Sequence, residues 1–239
     1  MTWLENSMKA ASNDQSVRRR RTVPTRRGAD AYDSLLWRLE ARLDSLASAD
    51  VGAATMVGVT ACERRAGVST IAANLAIRAA DHCMGPVLLI DAATERPVQA
   101  RRFGLKKALG LTDLLAERCG LRDAAHRSHA DGLDVMPIGS PRLIGRIGLS
   151  PDALDAMLAE IRASYELVFV DLPAAPQLRQ TLLLARRLDA SVLAVRSEAT
   201  RRDDVRRTAS QLRTDGALLV GCVLSRRRRH VPRLLAKWL

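Results

Sequence analysis

Three short segments carry residues whose types and spacing could do chemistry. The first reads Thr60-Ala61-Cys62-Glu63-Arg64-Arg65-Ala66-Gly67-Val68-Ser69-Thr70 and lies between an apolar stretch and an Ala-rich one. A strand-loop-helix of the pattern GxxxxGK[ST] cradles phosphates with backbone N–H groups and the positive end of the helix. Its lysine reaches the outer phosphates and its Ser or Thr hydroxyl ligates magnesium. Gly67, Ser69 and Thr70 stand in place here, whereas Cys62 occupies the first glycine position and Val68 the lysine position. The other two segments end in acids. Asp91 follows the apolar run Val87 to Ile90 (VLLI), and Asp171 follows Leu167 to Val170 (LVFV). An acid at the carboxyl end of a buried strand can hold a cation where open α/β sheets bind ligands. Each acid alone reads equally well as the cap of a following turn. The three segments together favour a nucleotide-type crevice.

The elements that must position these residues alternate along the chain. Thr55 to Thr60, Val87 to Ile90, Leu133 to Pro137, Leu167 to Val170, Ser191 to Val195 and Leu218 to Leu224 read as short apolar strands. Ser69 to Ala80, Leu111 to Ala116 and Pro151 to Ser164 read as helices, with Ser69 able to open the first. Upstream, Leu35, Leu36, Leu39, Leu43 and Leu46 fall at helical spacing within residues 31–48. Strands that are apolar on both faces and alternate with helices predict an α/β fold, a mostly parallel sheet with helices on both faces in three layers.

Composition agrees with one large domain. Apolar residues make up 47% of the 239, so a core can form, and aromatics only 3%, so Leu, Val, Ile and Ala must fill it. No apolar run is long enough to cross a bilayer. The first ten residues, with Glu5 and Asn6, lack a secretory h-region, so the chain is expected on the cytoplasmic side. The four cysteines form no CxxC pair, which argues against a zinc or disulfide framework. Of the formal net charge of +12, residues 1–30 carry +4 and residues 225–239 carry +6. Three regions follow: a disordered basic arm over 1–30, a domain over 31–225 and a basic tail over 226–239. Basic ends on a nearly neutral domain predict contact with an anionic surface, lipid or nucleic acid.

The same motifs, in the same order, resemble the cytoplasmic ATPase domain of bacterial polysaccharide-biosynthesis tyrosine kinases, relatives of the MinD and ParA P-loop ATPases. The likeness spans roughly residues 31–239. The family loop TSxxPGEGKST followed by AxNLA is here TACERRAGVST followed by Ala72-Ala73-Asn74-Leu75-Ala76. VLLIDADxRRP is here VLLIDAATERP, Val87 to Pro97, followed by Phe103-Gly104-Leu105 and GLTDLL, Gly110 to Leu115. GLDVMPIGS, Gly132 to Ser140, YELVFVDLPA, Tyr165 to Ala174, and LVGCVLSRRRR, Leu219 to Arg229, are similar to later family segments. The resemblance implies a P-loop NTPase-like fold with ATP or ADP and magnesium as cofactors. It implies a catalytic role for Asp91 near the transferred phosphate, and Ser69 and Asp171 as magnesium ligands, Asp171 directly or through water. Gly67, Val68, Ser69 and Thr70 take the phosphate-binding positions, with Arg64 and Arg65 beside them.

The departures from the family pattern point one way. Val68 removes the charge that offsets the phosphates, Arg64 and Arg65 replace the Pro-Gly of the turn, and Ala93 replaces the second acid of the DAD motif. Ser225 replaces an Asn that helps hold adenine in the family. The family's Tyr-rich tail has no counterpart, since Tyr32 and Tyr165 are the two tyrosines. Phosphoryl transfer rests on positioning and electrostatic stabilisation, and each lost preorganised group costs about 10²–10³ in rate. Impaired ATP chemistry is therefore expected, unless Arg64 or Arg65 swings in to replace the lysine.

At the C-terminus Val231, Leu234, Leu235 and Trp238 fall at i, i+3, i+4 and i+7 after Arg226, Arg227, Arg228 and Arg229. This predicts a short interfacial helix contacting anionic membrane or a membrane partner. The resemblance implies a membrane-embedded polysaccharide co-polymerase-type partner, a place at the inner face of the plasma membrane and assembly into homo-oligomers. Three functions stay open: a regulatory, catalytically impaired relative in exopolysaccharide or capsule synthesis and export; an active tyrosine autokinase or ATPase; and a ParA-like nucleic-acid-binding positioning ATPase. No aromatic interleaving supports nucleic-acid reading.

Overall fold

A computed structural model of the 239-residue chain describes residues 26–44, 54–82, 85–106, 108–140 and 150–226. The described elements run α1 (Arg26–Asp44), β1 (Thr55–Ala61), α2 (Val68–His82), β2 (Val87–Asp91), α3 (Gln99–Arg102), α4 (Leu111–Leu115), α5 (Leu121–Ala124), β3 (His126–Arg127) and β4 (Leu133–Met136). They continue with α6 (Pro151–Ser164), β5 (Leu167–Asp171), a 3₁₀ turn (Ala175–Gln180), α7 (Leu182–Ala185), β6 (Ala190–Arg196), α8 (Arg202–Thr214) and β7 (Leu219–Ser225).

The seven strands form one sheet in the order β3-β4-β2-β5-β1-β6-β7. All neighbours pair in parallel except the two-residue edge strand β3, which runs antiparallel to β4. Successive side chains of a strand face opposite sides of a sheet, and here both sides are covered. Met56, Leu88, Ile90, Val168 and Val170 pack with Leu154 and Ile161 of α6 and Leu212 of α8. Val57, Val59, Val87, Leu89 and Phe169 pack on the other side with Leu36 and Leu39 of α1 and Ile71 and Leu75 of α2. That is why the central strands read as unbroken apolar runs rather than alternating ones.

Helix α1 begins at Arg26, inside the segment expected as an arm, and Trp37 remains exposed on it. It is tied to α2 through Asp33, which accepts hydrogen bonds from Arg78 at 2.7 and 2.9 Å. The expected leucine stripe divides accordingly: Leu36 and Leu39 are buried, Leu35 and Leu43 partly so, and Leu46 lies outside the described residues. No helix among the described residues is long and apolar enough to cross a membrane.

Candidate functional site

The phosphate-loop segment connects β1, inside the sheet between β5 and β6, to α2. Gly67 sits at φ +94°, a conformation glycine adopts without a Cβ penalty, and its carbonyl accepts the N–H groups of Thr70 and Ile71 as α2 begins. Arg65, at φ +65°, is in the same left-handed region with a full side chain. The loop is fastened from three directions. The Thr60 hydroxyl donates to the Pro173 carbonyl at 2.7 Å, Glu63 accepts from Thr200 at 2.7 Å, and the Ser225 hydroxyl donates to the Ala66 carbonyl at 2.5 Å. Ser225 thus holds the loop's own backbone.

The two strand-end acids are brought together, in different situations. Asp91 is fully buried and accepts three backbone N–H groups, Ala93 at 3.0 Å, Val98 at 3.0 Å and Gln99 at 2.9 Å. It organises the segment leading into α3. Asp171, also buried, accepts the Gln99 side-chain amide on Oδ2 at 2.7 Å, while its Oδ1 has no hydrogen-bond partner. Burial pushes both carboxyls above their ordinary range; for Asp171 the Asp91 charge adds to the rise, and Gln99, Ser69 and Arg102 oppose it.

Gln99 was not legible as a site residue. Its Nε2 donates to both Asp171 Oδ2 and the Ser69 carbonyl, the latter at 2.9 Å. Both partners are acceptors, so the amide must present its nitrogen to them. One turn later on α3, Arg102 Nη2 donates to Thr70 Oγ1 at 3.0 Å, and its Nε is buried without a hydrogen-bond partner. A buried donor left unmade costs about 1–3 kcal/mol.

A cavity of about 610 Å³ opens over the loop and the ends of β1 and β5. Gly67, Val68, Ser69, Thr70 and Asp171 line it, and Asp91 is not among its lining residues. Its walls hold six arginines, Arg64, Arg65, Arg96, Arg101, Arg102 and Arg226, against Glu63, Glu95 and Asp171. Such a cavity is suited to a polyanion. Arg64 pairs with Glu95, so part of that charge is spoken for. Arg226, expected in the membrane-contacting tail, stands here at the cavity; Arg227, Arg228, Arg229, Leu234, Leu235 and Trp238 lie outside the described residues.

No protein-family model matches the chain. It is 28% identical over 204 residues to the tyrosine-protein kinase YwqD of Bacillus subtilis, covering 85% of this chain and 83% of that protein. It is 33% identical over 147 residues to the putative tyrosine-protein kinase EpsB of Ralstonia solanacearum, covering 61% of this chain but only 19% of the longer relative. This chain is a homologue of the bacterial tyrosine-protein kinases. Among solved structures, the VpsO kinase domain superposes with a TM-score of 0.66 at 26% identity, covering 83% of this chain and 97% of that one. The kinase domain of the Escherichia coli tyrosine kinase ETK reaches 0.73 at 20% identity, covering 96% and 88%. MinD of Pyrococcus horikoshii, solved with Mg-ADP, reaches 0.61 at 20% identity, covering 77% and 76%. The fold of this kinase homologue is thus the P-loop NTPase-like one that the motif order implied.

The residues present fit a nucleotide's phosphates: a loop entering a helix N-terminus, and a cavity rich in arginine. For magnesium the donors are few. The Ser69 hydroxyl and the orphaned Asp171 Oδ1 are suited to a cation or its bound water, while Asp171 Oδ2 is taken by an amide donor, Asp91 by three backbone N–H groups, and Ala93 offers no side-chain oxygen.

Proposed function

We infer that this tyrosine-kinase homologue binds ATP or ADP in the arginine-lined cavity with impaired phosphoryl transfer, and acts as a regulator in exopolysaccharide or capsule synthesis and export. The observation that carries the reading is Val68. It opens α2 where the loop's lysine would reach the outer phosphates, and its side chain packs partly into the core. An apolar group there offers no stabilisation to charge developing on the transferred phosphate. The backbone cradle does not depend on side chains, so binding survives where turnover does not.

The tyrosines support the same reading. Tyr165 is half-buried and donates its hydroxyl to Asp134 at 3.1 Å, and Tyr32 packs partly against the core beside α2. Neither is presented as a phosphoacceptor. Asp171, Ser69, Gly67 and Thr70 keep positions suited to phosphate and cation binding, while Asp91 orders the segment after β2. The partner in this reading is a membrane-embedded co-polymerase-type protein, approached at the inner face of the membrane through the basic residues that follow β7. Assembly with further copies is part of the same reading.

The test is turnover by the purified chain in MgATP. ATP hydrolysis and phosphotyrosine are both expected at background. Robust phosphotyrosine on this protein would replace the reading with an active autokinase.

A further inference from the structure

The six arginines of the cavity are not equivalent. Arg64 is paired with Glu95, and Arg65, Arg96, Arg101 and Arg226 are exposed. Arg102 is half-buried, lines the cavity, and donates to Thr70 Oγ1 in the first turn of α2, two residues after Val68. No carboxylate forms an ion pair with Arg102 among the described residues, and its Nε is buried with no hydrogen-bond partner. A cation held against the loop, with one donor still unmatched, is prepared for an anion that is not part of the protein.

Its position is fixed by α3. Gln99, three residues earlier and therefore on the same side of this one-turn helix, clamps α3 to the site through the Ser69 carbonyl and Asp171 Oδ2. The pair delivers a guanidinium to the phosphate loop from the neighbouring segment instead of from the loop itself.

We propose that Arg102 takes the place of the missing loop lysine, contacting the terminal phosphate of a bound nucleoside diphosphate, with Gln99 as its positioning residue. This rests on the nucleotide-binding reading above and deepens it. A planar fork suits bidentate contact with phosphate oxygens, but reaching in from α3 it approaches from another direction than a lysine at position 68. Retained binding and lost turnover are then compatible.

The experiment is calorimetric titration of the full chain with ADP and with AMP, comparing wild type, Arg102→Ala, Arg102→Lys and the control Arg207→Ala, an exposed arginine of α8 that does not line the cavity. Thermal melts without ligand check that each variant is folded. Arg102→Ala is expected to weaken ADP binding about 10-fold or more and to leave AMP, which lacks the second phosphate, within about 2-fold. Arg102→Lys should recover much of the loss, and Arg207→Ala should bind ADP within about 2-fold of wild type, since an exposed cation away from the cavity adds little. Arg102→Ala binding ADP as wild type does, equal losses for ADP and AMP, or no ADP binding by wild type would each overturn the assignment. The first two would leave the nucleotide-binding reading standing, whereas absence of ADP binding by wild type would overturn that reading too; impaired phosphoryl transfer is tested separately, by turnover.

Discussion

Asp91 and Asp171 are direct register partners, facing one another at the ends of the adjacent parallel strands β2 and β5. Two carboxylates buried side by side cannot both ionise cheaply. Asp91 answers with three backbone donors; Asp171 has the single amide of Gln99 on one oxygen and an orphan on the other.

The acid pair makes stability depend on pH. The Asp171 carboxyl is raised from 3.8 to about 7, chiefly by burial and then by Asp91, so the folded state holds its proton more tightly than the unfolded chain. A folded-state pKa raised for an acid means stability falls as pH climbs from the unfolded value through the folded one. Asp171→Asn removes the charge at nearly constant shape. It is expected to raise Tm at neutral pH by about 2–4 °C, the shift that ~1 kcal/mol produces in a domain of this size. It should also flatten the decline of Tm between pH 4 and 7. Melting curves across that range check this, and a variant less stable than wild type at neutral pH would contradict it.

Val68→Lys puts a cation where the loop lacks one. The stem can keep the packing Val68 makes while the ammonium reaches the cavity. ADP binding is expected to tighten about 10-fold, worth ~1.4 kcal/mol. Unchanged affinity would mean that position 68 does not face the phosphates.

Arg65 occupies a backbone conformation that costs a non-glycine residue about 1–2 kcal/mol. Arg65→Gly should recover part of that, offset by glycine's greater freedom in the unfolded chain, for a net gain of about 0.5 kcal/mol. Chemical denaturation measures it. A loss of stability would show that the Arg65 side chain makes a compensating contact.

Removing the residues after Ser225 takes away the basic run. If that run carries the membrane contact, the shortened chain should lose most of its partitioning onto vesicles containing anionic lipid, at roughly 1 kcal/mol per basic residue near the surface. Sedimentation with such vesicles decides it; equal partitioning of both chains would assign the contact elsewhere.

The framework of the fold was legible because its central strands are apolar on both faces, so β1, β2, β5 and β6 announce themselves as short runs without any help from periodicity. What was missed is what lacks an apolar signature. Helix α8 (RDDVRRTASQLRT) buries only Leu212, β3 is a two-residue edge carrying His126 and Arg127, and α3 is a single turn. The site divides the same way. Gly67, Ser69, Thr70, Asp91 and Asp171 follow from motif spacing. Gln99 and Arg102 do not, because their value comes from α3 folding back onto the loop, a contact between residues about thirty apart in the chain. The doublet Arg101-Arg102 soon after Asp91 was the available clue, but nothing in the sequence distinguishes the exposed member from the one touching Thr70. Arg226 was assigned by the charge run it begins, whereas its position follows from β7, the strand it comes directly after.

The Ser225 hydroxyl, bonded to the Ala66 carbonyl, closes β7 directly onto the phosphate loop, and Arg226 at the cavity wall is the next residue. The route from the basic run to the loop therefore has almost no slack. A force applied to the chain at Arg226 is shared between the pairing of β7 with β6 and the Ser225 hydroxyl, which passes its part to the loop's backbone.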